Sequence, residues 1–243
     1  MKKLLFITKP TRFKKILIPD LSFNYTRGIA HKKYTDTFAK IASTVPTDKS
    51  LPNKIYLSRT KLGYNETFGE KTIENIFAKN GFTIIYPEQL SLEKQIQLMK
   101  AAQTIAGVSG TALHLSLFAQ NGIKLICIHK RNYILKMQIL IDKLKNINGT
   151  YIDAFLTIGN LKKCDGKSSA ALIGINKNLQ NFFNDNNFIY SLDKNNNTKE
   201  YKQFIQSFNK QRRIIPKWLG GIILSFVPSH NLRHSLRKKW RLK

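Results

Sequence analysis

KIYLSRTKLGYNE (54–66) and GFTIIYPEQLSLEKQIQLMKAAQTIAGVSGTALHLSLF (81–118) decide the fold of this chain. KIYLS (54–58) reads as a strand, Arg59 to Tyr64 as a loop, and FGEKTIENIFAKN (68–80) as a helix stopped by Asn80 and Gly81. FTIIY (82–86) is the next strand, ended by Pro87, and Ser91 caps the helix LEKQIQLMKAA (92–102). TIAGV (104–108) is a buried strand, SGT (109–111) a tight turn, ALHLSLFAQ (112–120) a helix and KLICIHK (124–130) another strand. This alternation predicts an α/β fold with a parallel, doubly wound sheet. Such sheets bind ligands outside the carboxyl ends of their strands, so polar residues there are the candidate site.

Working outward, the short apolar runs at 4–8 (LLFIT) and 15–18 (KILI) read as strands, the second stopped by Pro19. HKKYTDTFAKIAS (31–43) fits a helix, with Tyr34, Phe38 and Ile41 recurring every three or four positions. Residues 44–53, with two prolines, read as a linker. Beyond the central run, 133–147 is an amphipathic helix, 150–158 a strand, and 176–184 and 198–208 helices. Three parts result: an N-terminal portion (1–48), a Rossmann-like body (49–209) and a basic tail (210–243).

At 42% hydrophobic residues the 243-residue chain can bury a real core. Its net charge of +27 is weighted toward the ends, with +7 on 1–48 and +10 on 210–243, which leaves +10 on the body. That distribution suits nucleic acid, anionic lipid or a phosphate-bearing small molecule, although a Lys-, Asn- and Ile-rich chain also reflects coding-DNA composition. Cys127 and Cys164 have no metal-ligand spacing and suggest no disulfide, which points to a reducing compartment. The start MKKLLFITKP lacks the h-region and cleavage site of a signal peptide, and no run approaches the roughly 20 apolar residues that span a bilayer. A cytoplasmic location is expected.

The turn Ser109, Gly110 and Thr111, between a buried strand and a helix, aims backbone N–H groups at one point and suits a phosphate. It is neither GxGxxG nor a P-loop, and many such turns carry glycine for steric reasons alone. Arg59 closes the first strand, where a guanidinium can grip phosphate oxygens. Asn65 and Glu66 lie at a helix start, where simple capping also explains them. Glu88, just past a strand, can accept from ribose or sugar hydroxyls, and Gln95 faces the same region if its helix turns inward. His114 can donate to a phosphate oxygen or serve as a base. No HExxH or DxD-like pair occurs, so no metal is expected. In the tail, the apolar part 218–227 between basic clusters is a block rather than a set of aromatics interleaved with basic residues, which suits a membrane interface more than nucleic acid. Packing of that block on the body is a further possibility.

Taken together, KIYLSR, NE and 81–118 resemble the C-terminal half of the family 61 glycosyltransferases, which include bacterial capsular-polysaccharide enzymes and eukaryotic xylosyl- and N-acetylglucosaminyltransferases. The resemblance implies a GT-B fold of two Rossmann domains, here with a complete C-terminal domain and 1–48 as the remnant of the N-terminal one. It implies an inverting, metal-independent transfer, without cofactor, from a nucleotide-sugar donor to a glycan or lipid-linked acceptor. It places substrate binding on Arg59, Asn65, Glu66, Glu88, Gln95, Ser109, Gly110, Thr111 and His114, with His114 and Glu66 as the candidates for catalysis. Many members carry His-Gly-Ala where this chain has Ser109, Gly110 and Thr111, and Leu115 replaces a frequent Asn. The tail resembles extensions of polysaccharide glycosyltransferases, which implies capsule or lipopolysaccharide assembly at the inner membrane surface. Family members carry a longer N-terminal domain, so a truncated, non-catalytic remnant or accessory subunit that binds nucleotide sugar is the alternative.

Overall fold

The computed structural model describes residues 6–18, 20–62, 67–131, 134–158, 170–192 and 200–206. A hairpin of β1 (Phe23–Asn24) and β2 (Ile29–Ala30) leads into α1 (Lys32–Ser43). There follow β3 (Lys54–Leu57), β4 (Thr67–Phe68), α2 (Glu70–Lys79), β5 (Thr83–Ile85) and α3 (Leu92–Ala101). After β6 (Thr104–Val108) come a 3-10 helix (Thr111–Phe118), β7 (Lys124–His129), α4 (Lys136–Lys145) and β8 (Asn148–Asp153). β9 (Phe155–Ile158), β10 (Ala171–Ile173) and α5 (Lys177–Asp185) complete the labelled elements, and 200–206 are helical.

The central sheet has five parallel strands in the order β5-β3-β6-β7-β8. The chain runs from β3 outward to β5 and then returns across β3 to β6, so the winding direction reverses between β3 and β6. Alternate residues of each strand serve opposite faces. Leu57, Ile105, Leu125 and Cys127 join one core with α1, α3, the 3-10 helix and α4. Tyr56, Val108, Ile126 and Ile128 join the other with Ile73 and Phe77 of α2 and Phe183 of α5. The sequence thus predicts the parallel, doubly wound α/β sheet that the structure has.

α1 belongs to the same packing. Phe38 meets Phe118 of the 3-10 helix at a ring separation of 5.1 Å, and Ala42 and Val45 are buried in the first core. The Lys100 ammonium of α3 donates to the carbonyls of Ala42 and Val45 at the end of α1. Residues 1–48 and 49–209 therefore share a core across the linker.

Several local expectations are corrected. Residues 6–8 and 15–18 form no strand, and Leu17 and Ile18 stand exposed, because an apolar run without a neighbouring strand edge has no ladder to join. The expected helix at 112–120 is a 3-10 helix, since ALHLSLF lacks an apolar stripe at the 3.6-residue period. The single strand expected at 150–158 is broken at the buried Ala154, where Asp153 accepts from the Phe155 N–H at 2.9 Å. β8 stays in the central sheet, while β9 turns away into a second sheet of order β4-β10-β9. The body therefore carries this small mixed sheet beside the Rossmann-like one. α2 starts at Glu70 rather than at residue 68, because β4 and a left-handed Gly69 come first. The tail 210–243 lies outside the described residues. Among the described residues no helix is long and apolar enough to cross a membrane.

Gly69 joins β4 of the second sheet to α2, which packs on the central one. Its φ is +91°, and a Cβ there would lie 1.9 Å from the Ile173 carbonyl oxygen of β10. Both backbone conformation and space demand glycine. Gly69→Ala is expected to lower stability by about 2–4 kcal/mol in urea denaturation. Gly28→Ala, with φ +69° but nothing within 4 Å, is expected to cost only about 1 kcal/mol.

Candidate functional site

A cleft of about 970 Å³ opens over the carboxyl ends of the central strands, at the reversal between β3 and β6. β3 leads into Ser58 and Arg59, β6 into Ser109, Gly110 and Thr111, and β7 into Lys130 and Arg131. Pro87 and Glu88 after β5 form one wall, and 134–137 before α4 form another. The floor is cationic and the outer walls, with Leu62, Leu115, Ile134 and Met137, are apolar.

The floor buries charge. Arg59 is half-buried with its Nε shielded and unpartnered, and its guanidinium lies directly under Gly110, where a Cβ would come within 2.5 Å of Nη1. Lys130 is 7% exposed, its backbone N–H reaches Ser109 Oγ at 3.4 Å, and among the described residues its ammonium reaches the Thr67 hydroxyl, at 3.3 Å. Glu70, 1% exposed at the first turn of α2, accepts from the Arg59 backbone N–H at 2.8 Å through Oε1, while Oε2 is buried without a partner. Neither Arg59 nor Lys130 closes an ion pair with it. Burial pushes the Glu70 carboxyl up to about 7 against the pull of Arg59 and Lys130. Burial likewise pulls the Lys130 ammonium down to about 7, helped by Arg59 and Arg131 and opposed by Glu70.

One turn along α2, Glu74 is the opposite case. It is 2% exposed but accepts from Ser58 Oγ at 2.5 Å, Thr60 Oγ1 at 2.8 Å, Tyr86 Oη at 3.1 Å and the Lys71 ammonium. Burial works to raise its pKa, but these donors outweigh it and hold the carboxyl below its ordinary value. Glu74 thereby fixes the loop that follows β3, and with it the main chain at Arg59.

The cleft brings together Arg59, Glu88, Gln95, Ser109, Gly110, Thr111 and His114. Asn65 and Glu66 lie outside the described residues. The N–H of Ser109 is spent on the Ile128 carbonyl at 2.8 Å, so the free donors of the turn begin at Gly110 and Thr111, where the 3-10 helix starts. Gln95 donates to the Pro87 and Leu90 carbonyls at 2.8 and 3.0 Å, holding the turn that carries the exposed Glu88. His114 has Nε2 buried and unpartnered, and burial lowers its pKa, which keeps the imidazole neutral near pH 7. Among the described residues no three His, Cys, Asp or Glu side chains group to hold a metal ion.

Sequence reasoning missed Lys130, Glu70 and Glu74. Lys130 ends the run KLICIHK, and the strand-end rule that singles out Arg59 applies equally to it. Glu70 and Glu74 carry no such mark, since two Glu one turn apart read as a solvated helix face.

A model of the family Glycosyltransferase 61 matches residues 3–126, just over half of the chain. The match takes in Arg59, Glu70, Glu88 and the 109–111 turn and ends inside β7, before Lys130. No curated protein matches the chain.

The two buried carboxylates give opposite pH signatures. Glu70, raised in the fold, binds more proton folded than unfolded between its ordinary 4.5 and about 7, so its contribution to stability falls as pH rises through that window. Glu74, lowered in the fold, contributes stability above the carboxylate range and loses it on acidification. Urea midpoints are expected to move in favour of Glu70→Gln, relative to wild type, as pH rises from 4.5 to about 7. Glu74→Gln is expected to be destabilised at neutral pH, with a deficit that shrinks in acid.

Proposed function

Because the chain belongs to the glycosyltransferase 61 family, we propose that its cleft binds a nucleotide-sugar donor and transfers the sugar to a glycan or lipid-linked acceptor. The family's activity is glycosyl transfer, which requires a donor and an acceptor. The observation that carries the finer reading is the meeting of Arg59, Lys130 and the 109–111 turn at the winding reversal of a parallel sheet. A buried ammonium and a half-buried guanidinium beside free helix-start N–H groups form a receptor for a diphosphate. Glu88, at the mouth of the cleft, is suited to accept from ribose or sugar hydroxyls.

The transfer is proposed to be inverting and metal-independent. An acceptor hydroxyl oxygen attacks the anomeric carbon on the face opposite the diphosphate, and the bond from that carbon to the phosphate oxygen breaks. The diphosphate departs with the bonding pair, and Arg59 and Lys130 stabilise the charge that develops on it. His114, neutral and unpartnered at one of its nitrogens, is the described cleft residue suited to take the acceptor proton. Capsule or lipopolysaccharide assembly at the cytoplasmic face of the inner membrane is the proposed setting. The basic and apolar composition of 210–243 supports it.

Thermal-shift titration with UDP-, GDP- and CMP-sugars tests donor binding. At least one diphosphate sugar is expected to raise the melting temperature by several degrees, and Arg59→Ala to abolish the shift. Gly110→Ala keeps an extended φ of 168° but displaces the Arg59 guanidinium. It is expected to weaken binding about tenfold with little loss of stability. No shift with any donor, and no difference on Arg59→Ala, rejects the reading. Flotation with anionic liposomes is expected to carry the full chain and to lose it when 210–243 are removed.

A further inference from the structure

We propose that Glu70, which is sealed beneath the cleft, is a positioning residue: a buried counter-ion that keeps Lys130 charged and Arg59 in place at the anion-binding end of the site. This rests on the cleft's being a diphosphate site. The geometry is a closed circuit of contacts around one end of the cleft. Glu70 Oε1 holds the Arg59 backbone N–H at 2.8 Å, and the Arg59 guanidinium abuts Gly110. Ser109, next in the turn, meets the Lys130 backbone N–H at 3.4 Å, and the Lys130 ammonium reaches Thr67 at 3.3 Å. Thr67 belongs to β4, which leads through Gly69 back to Glu70.

Each group in this circuit is left partly unsatisfied. Glu70 Oε2 and Arg59 Nε are buried without partners, and Lys130 has one long hydroxyl contact. A purely structural carboxylate would look like Glu74, whose oxygens are filled by four donors from neighbouring side chains. Glu70 instead faces two cations at a distance and closes on neither. Buried cations left open in this way suit a ligand that supplies the missing oxygens. A carboxylate that closed on them would occupy the ligand's place.

Among the described residues, the charged and titratable groups around the pair are few. Tyr56 comes from β3, Arg59 from the loop after it, Glu74 from α2, and Arg131 from the segment after β7. Tyr56 is fully buried and held as the neutral phenol by burial and by Glu70 and Glu74. Arg59 and Arg131 repel the Lys130 proton, and among the described residues Glu70 holds it. Removing the Glu70 charge therefore lowers the fraction of Lys130 that is ammonium near neutral pH.

Two readouts on the full chain test this, one without ligand. With 13Cε-labelled lysine, the Lys130 resonance is assigned by its loss in Lys130→Arg and then titrated. Glu70→Gln keeps an acceptor for the Arg59 N–H, and is expected to move the Lys130 midpoint down by about one pH unit. Separately, inorganic pyrophosphate affinity is measured against pH by calorimetry. Wild-type affinity is expected to fall as pH rises past about 7, and in Glu70→Gln the fall is expected to start at lower pH. Lys130→Arg, charged throughout, is expected to retain only the titration of pyrophosphate itself. An unchanged Lys130 midpoint in Glu70→Gln overturns the proposal, as does a Lys130→Arg profile identical to wild type. A shifted midpoint with no pyrophosphate binding at any pH supports the pairing and overturns the diphosphate reading of the cleft.

Discussion

Burying charge at the carboxyl edge of a sheet is the constraint around which this structure is built. A desolvated ammonium or carboxylate is unfavourable unless other charges or donors offset it. Lys130 and Glu70 are both offset only in part, and each is drawn toward its neutral form. Their positions follow from the two sheets. β7 delivers Lys130, and the junction of β4 and α2, fixed by the close approach of Gly69 to Ile173, delivers Glu70. The second sheet thus serves to position one end of the cleft.

On the proposed reading, Arg59 and Lys130 store electrostatic potential for an incoming anion. Because the groups are held at strand ends and by a first helical turn, binding on that reading would need little reorganisation. Glu74 shows what a fully satisfied carboxylate looks like on the same helix, one turn away. The contrast separates a residue that holds the fold from one that holds the site.

Much of this was legible in the sequence. The parallel body follows from KIYLS, FTIIY, TIAGV and KLICIHK, with helical periods between them. Arg59, Glu88, the 109–111 turn and His114 follow from the rule that ligands meet strand ends, together with the family likeness. The break at Ala154 was not legible, because an apolar strand pattern continues through it and only the second sheet makes use of the turn. Nor was Glu70, which accepts from the Arg59 N–H and acts on Lys130 through its charge, both residues lying outside its own helix. Gln95 was found for its position, but its two bonds to loop carbonyls are a matter of tertiary geometry that no spacing encodes.

The reach of Lys100 to the last carbonyls of α1 has a consequence for how the molecule comes apart. Those bonds cross a proline-containing linker that, read along the chain, looks like a boundary. With the ammonium anchored there and Phe38 against Phe118, α1 cannot leave without stripping the neighbours of the 3-10 helix that roofs the first core. Helix, linker and sheet therefore form one cooperative unit of opening, and slow amide exchange in α1 reports on the walls of the cleft as well as on the helix itself.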